Sequence, residues 1–312
     1  MSLFGARSAA AAGAAALLSI AGESLACPCG NSATVNGPLT SQMETSGFMA
    51  AQSLTLVHGA FNARGEYRSL DDNHQGALLW TGSAAYRLER RVELGATLSY
   101  GRSWLRHGAL SASDEGFGDL QLRAFWDAID EPMPYYKSFW PALGIFATVR
   151  IPTRGLTGPV GGGGSLGSPV AAQSLGAWEG SVGARLLRRL GRRFWGSLTA
   201  EGAARLEDDT FGFDRHLGPR LLGQLMLQYR ATGDLSLAAT STLAWEAPVS
   251  VEGRTLDGTA QRLWTVGGVL SWAPAPAPLR ASAVVEWSPP LSEISANAVA
   301  ATRVGLSLLY TR

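Results

Sequence analysis

The chain has 312 residues and a formal net charge of +1, which leaves no chain-wide field to draw it to nucleic acid or to an acidic partner. Charged residues are 16% of the chain, low against the roughly 25% of an ordinary soluble domain. Past residue 30 no run of about 18 uncharged apolar residues occurs, which argues against a helical membrane protein. The 38 glycines and 10 tryptophans instead suit transmembrane β-structure, where Gly permits bends and Trp anchors at the interfaces; on composition alone a soluble β-sandwich stays open.

Residues 1–26 have the pattern of a signal peptide. Arg7 supplies the basic start, Ala9 to Ile20 the apolar stretch, and Ser24-Leu25-Ala26 a small-x-small cleavage site. Cleavage there places Cys27-Pro28-Cys29-Gly30 at the mature N-terminus, with the only two cysteines of the chain. Three readings of the pair are open. Lipid modification of Cys27 wants a Leu three residues before it, where Ser24 stands. Metal binding by Cys27 and Cys29 draws on the affinity of thiolates for soft ions, although the nearest histidine is His58. A structural or inert pair in the oxidising periplasm is the third. Residues 27–51 are expected to form a periplasmic N-terminal segment.

From Gln52 the pattern becomes alternation with a period of two, the mark of strands. Val92 to Tyr100 sets Val, Leu, Ala, Leu and Tyr on one face against Glu, Gly, Thr and Ser on the other. Such segments fall at about 52–67, 75–88, 91–104, 116–127, 140–151, 174–189, 193–207, 217–230, 234–247, 260–273, 278–288 and 298–311. Twelve is even, as a barrel with both ends in the periplasm requires, and most segments are long enough to cross a bilayer at a tilt. The predicted fold is therefore all-β: residues 52–312 as a transmembrane antiparallel up-and-down β-barrel of about twelve strands. In the first segment no assignment of faces keeps both His58 and Arg64 from lipid without a bulge.

Tight turns at Glu89-Arg90, Leu190-Gly191-Arg192, Ala231-Thr232-Gly233 and 274–277 alternate with loops at about 104–115, 152–173, 208–216, 248–259 and 289–297. Short periplasmic turns and long external loops are the expected asymmetry of an outer-membrane barrel; only 128–139 is long on the periplasmic side. The last strand alternates to Tyr310, close to the terminal aromatic by which assembly machinery recognises such barrels. This places the chain in the bacterial outer membrane, with membrane lipid, the barrel-assembly machinery and a small-molecule solute as expected partners, and no nucleic acid.

In this register the lumen is lined by Asp119, Arg123, Arg150, Glu179, Arg185, Glu201, Arg205, Arg230, Glu246, Arg280, Glu286 and Arg303. Mixed signs on neighbouring strands suit a cross-strand ion-pair lattice, and the alternative is a selectivity lining. No enzyme or cofactor is predicted. His58, His74, His107 and His216 lie singly, and the Gly161-Gly162-Gly163-Gly164 loop lacks the Lys-Ser/Thr of a phosphate cradle.

One stretch resembles a known family. Gly116-Phe117-Gly118-Asp119, followed by Pro141-Ala142-Leu143-Gly144 and then Arg150-Ile151-Pro152-Thr153-Arg154-Gly155, is similar to outer-membrane proteins of the MetA-pathway phenol-degradation type. Arg154 is an insertion in the Leu-Pro-Thr-Gly element of that pattern, and the likeness covers about 115–205. The resemblance implies a barrel distantly like fatty-acid and hydrocarbon uptake channels, passing small, apolar or aromatic molecules. The Cys27-x-Cys29 start is not part of the pattern. The alternative function is a scaffold barrel whose Cys-x-Cys segment binds metal or a redox partner.

Overall fold

The computed structural model describes residues 45–70, 74–107, 110–129, 141–153, 177–206, 208–210, 213–256, 258–274, 277–291 and 294–312. The proposed signal peptide, the Cys27 and Cys29 pair and the Gly161–Gly164 loop lie outside them.

Twelve antiparallel strands close on themselves. They are β1 (Ser46–Phe61), β2 (His74–Glu89), β3 (Val92–His107), β4 (Leu120–Ile129), β5 (Ala142–Ile151), β6 (Glu179–Arg189), β7 (Phe194–Arg205), β8 (Arg220–Arg230), β9 (Leu235–Glu246), β10 (Gln261–Trp272), β11 (Leu279–Trp287) and β12 (Val299–Thr311). Each strand pairs with the next, and β12 pairs with β1 from Gly47↔Thr311 to Ala60↔Val299, so the barrel wall has no free edge. The Thr45 amide donates to the Arg312 carbonyl at 2.6 Å, pinning the two ends together on one rim.

Period-two alternation sorts the wall into two faces. Even positions of β3 and β4 (Leu94, Leu98, Leu122, Trp126) and odd positions of β8 (Leu221, Leu225, Leu227) point outward and are exposed. The pattern continues round the ring, with Val182 at 67% and Leu306 at 64% exposure. A continuous apolar exterior of this size belongs in hydrocarbon, and aromatic residues edge it at both rims. Phe48, Tyr86, Trp126, Phe194, Trp272 and Tyr310 stand toward the rim of the short turns; Trp178, Trp245 and Trp287 stand toward the other. Trp264 satisfies its indole N–H by donating to Ser241 Oγ at 3.0 Å.

Several expectations shift. β1 begins at Ser46, inside the segment read as periplasmic, because Phe48 and Ala50 continue its outward face. The anticipated bulge is real: the β1–β12 register slips between Val57 and Gly59, and His58 Nδ1 lies 3.1 Å from the Tyr67 hydroxyl. Arg64 lies in the turn beyond the strand. The stretch 104–115 is not an irregular loop. β3 runs on to His107 and pairs with 110–117, a two-stranded extension of the wall. Between Tyr100↔Phe117 and Thr97↔Gln121, two residues of β3 face three of the partner segment, so a bulge at Gly118-Asp119 joins the extension to β4. The loops 208–216 and 248–259 likewise carry short strands, pairing as 208–210, 213–216, 250–251 and 254–255 in a small four-stranded sheet.

Candidate functional site

Inward positions form the lumen, and their chemistry divides the ring into unlike halves. On β5 to β9 an ion-pair lattice sits at the rim of the long loops. Arg150 nearly ends β5, Glu179 opens β6, Arg205 ends β7, Arg220 opens β8 and Glu246 ends β9. In an up-and-down wall such positions are neighbours: Arg150↔Glu179, Glu179↔Arg205 and Arg220↔Glu246 are direct register pairs.

Glu179 is the centre. Its Oε2 accepts from Arg205 Nε at 2.7 Å, and its Oε1 accepts from Arg220 Nη2 at 3.1 Å and lies 3.7 Å from Arg150 Nη1. Arg205 turns Nη2 to Glu246 Oε1 at 2.6 Å, and Arg220 also reaches Glu201 Oε1 at 3.3 Å. Three guanidiniums and three carboxylates thus neutralise one another in a nearly dry place. The lattice therefore presents no single-sign field to a solute, and it braces five adjacent strands.

A layer of arginine on phenylalanine lies on β4 to β6. Phe125 and Phe146 are register partners, both buried and both inward. The Arg123 guanidinium carbon lies 4.5 Å from the centre of the Phe146 ring, and that of Arg185 lies 5.2 Å from Phe125. Gly144 and Gly183 make room for these rings, since a Cβ at either would run into Phe125 or Phe146. Delocalised cations thus lie over aromatic faces in this part of the wall.

The opposite arc is apolar. Ala238, Val269 and Val284 stand in direct register on β9, β10 and β11, and Gly305 follows on β12 without a side chain. Met226 of β8 and Ala51 of β1 join Val269 and Val284 in one buried cluster with Ala238 against it. Short polar contacts flank it, with Ser282 and Ser307 hydroxyls 2.7 Å apart and Gln224 Nε2 donating to Thr242 at 3.1 Å.

Of the twelve predicted lining residues, Arg150, Glu179, Glu201, Arg205 and Glu246 meet in the lattice, Arg123 and Arg185 in the aromatic layer, and Arg303 pairs with Glu286 at 3.1 Å. Asp119 is buried at the β4 bulge, where Thr153 Oγ1 donates to the Gly118 carbonyl at 2.9 Å. Arg280 stands near the short-turn end of β11, partly buried. Arg230 is a correction. It is exposed at the end of β8 and donates to the Gly233 carbonyl at 2.8 Å, so it staples a turn instead of lining the lumen.

The predicted set is charged throughout, so it omits the apolar lining of Phe125, Phe146, Met226, Val269 and Val284, and four charged residues besides. Arg220 shares the inward parity of Arg230, ten positions on, so alternation alone could have found it. At the other rim Arg87 reaches Asp127 at 3.1 Å and Glu93 at 3.4 Å; Arg87↔Glu93 is the cross-strand pair beside the 90–91 turn. Among the described residues no group of three or more His, Cys, Asp or Glu could hold a metal ion.

No family model and no curated protein matches the chain. Solved structures do. The COG4313 outer membrane channel from Pseudomonas putida F1 superposes with a TM-score of 0.66 at 17% identity, over 86% of this chain and 96% of that one. The β domain of the Bordetella autotransporter BrkA follows at a TM-score of 0.49 and 10% identity, over 86% of this chain and 100% of that one. The transport unit of the autotransporter AIDA-I from Escherichia coli gives 0.46 and 8%, over 91% and 96%. The first of these likenesses fixes the architecture: this is the fold of an outer-membrane β-barrel.

Proposed function

We propose that the protein is an outer-membrane channel for small, apolar or aromatic molecules. The observation that carries this reading is a lumen faced by aromatic and aliphatic side chains, Phe125 and Phe146 on one side and Met226, Val269 and Val284 on the other, inside a closed membrane-spanning wall. The cations near the rings contribute hydrogen-bond donors and stacking surfaces, while the neutralised Glu179 lattice leaves the mouth without a charge preference. The similarity of residues 115–205 to the MetA-pathway phenol-degradation type supports it, as does a fold shared with an outer membrane channel.

The test is uptake. Porin-deficient cells producing the full chain are expected to take up toluene and benzyl alcohol faster than cells without it, with arabinose uptake changed much less. Equal uptake of all three in both strains, with the barrel folded in the outer membrane, would sink the proposal.

A further inference from the structure

Inward-facing side chains of a wide channel are wet, yet those of the apolar arc are not. Met226 is 1% exposed, Val284 3% and Val269 5%. Their cluster gathers side chains from β8 to β1, half the circumference, and at this level the lumen is packed. Elsewhere on the wall polar contacts recur. Ser83 touches Thr97 at 2.9 Å, Gln224 touches Thr242 and Ser282 touches Ser307. The two kinds of packing answer differently when thermal motion opens a gap. Water entering beside Ser, Thr or Gln finds hydrogen-bond partners. Water entering among Met226, Val269, Val284, Ala238 and Ala51 meets mostly hydrocarbon, with the buried Ser197 and Thr240 beside Met226 as polar neighbours, and a gap so poor in partners wets poorly.

We propose that this arc is the specificity element of the channel, a dewetting gate that rejects ions and hydrated solutes and opens around an uncharged apolar one. An apolar solute replaces the side-chain contacts it breaks, while an ion would have to shed its water with little to replace it. Two further features suit a gate here. Gly305 adds no side chain to the row between Val284 and Ser53, so only its neighbours fill that position. Met226 has an unbranched, adaptable side chain that can repack around a guest. The inference rests on the channel reading and names its solute class.

Planar bilayers holding the purified full chain in potassium chloride test it. The wild type is expected to show small, intermittent currents. Met226→Ser and Val284→Ser each replace hydrocarbon in the gap with a further water partner and should raise conductance several-fold, the double variant more. Leu225→Ala, one residue away on the lipid side, should change nothing. Retained heat-modifiable migration in gels shows that each variant is folded. Folded serine variants with wild-type conductance would overturn the gate and leave the channel reading standing. Absence of both ion current and toluene uptake in every form would overturn both.

Discussion

From β4 to β9 the lumen carries arginines, glutamates and phenylalanines, each oriented by a named partner. From β8 round to β1 they are Met226, Val269, Val284 and small residues, held by contact and a few hydroxyl pairs. Directional partners fix a geometry, and removing one leaves a charge stranded in a dry place. Apolar contacts are interchangeable, so that side can rearrange at low cost. One half of the wall is thus built to hold its shape and the other to yield.

The contrast can be broken by substitution. Glu179→Gln should cost the most, about 4 kcal/mol of barrel stability, because Arg150, Arg205 and Arg220 all lose their shared carboxylate charge. Urea unfolding in lipid, followed by tryptophan fluorescence, measures it; a loss under about 1 kcal/mol would mean the lattice is ornamental. Met226→Ala is expected to cost about 3 kcal/mol by leaving a cavity, yet it adds no polar group and ion conductance stays low. Phe146→Leu keeps bulk and removes the ring under Arg123, so about 1 kcal/mol goes, together with part of the advantage of benzyl alcohol over arabinose in uptake. Smallest is Ser282→Ala, at or below about 1 kcal/mol, since Ser307 loses a single hydroxyl partner.

Much of the wall is legible in the sequence. The alternation of Val92 to Tyr100 and of Leu221 to Arg230 assigned outward and inward faces that the structure reproduces, because an outward charge in hydrocarbon is costly enough to mark every strand. Turns at 89–91, 190–192 and 231–233 stood out because both flanking strands were strongly periodic. Legibility faded outside the bilayer. Residues 110–117 and the small sheet of 208–216 and 250–255 lie beyond the membrane-spanning wall, where lipid no longer enforces alternation, and the sequence shows them as loops. The start of β1 was obscured for a similar reason: Ser46, Gly47 and Ala51 are small, and only Phe48 and Met49 show two faces.

The sequence by itself determined which face of each strand meets lipid, how many strands there are and which rim bears the long loops. All three follow from the period of two and the spacing of turns, and both are local. The tertiary structure decided who meets whom across the lumen. Closure of β12 on β1, the bulges at His58 and Gly118-Asp119 and the stagger between strands set which inward residues share a level. Those offsets bring Arg220 to Glu179 two strands away, and join Ala51 to Met226 across half the ring. Alternation repeats every two residues and carries no record of stagger, so partnership between distant strands emerges only once the wall has closed.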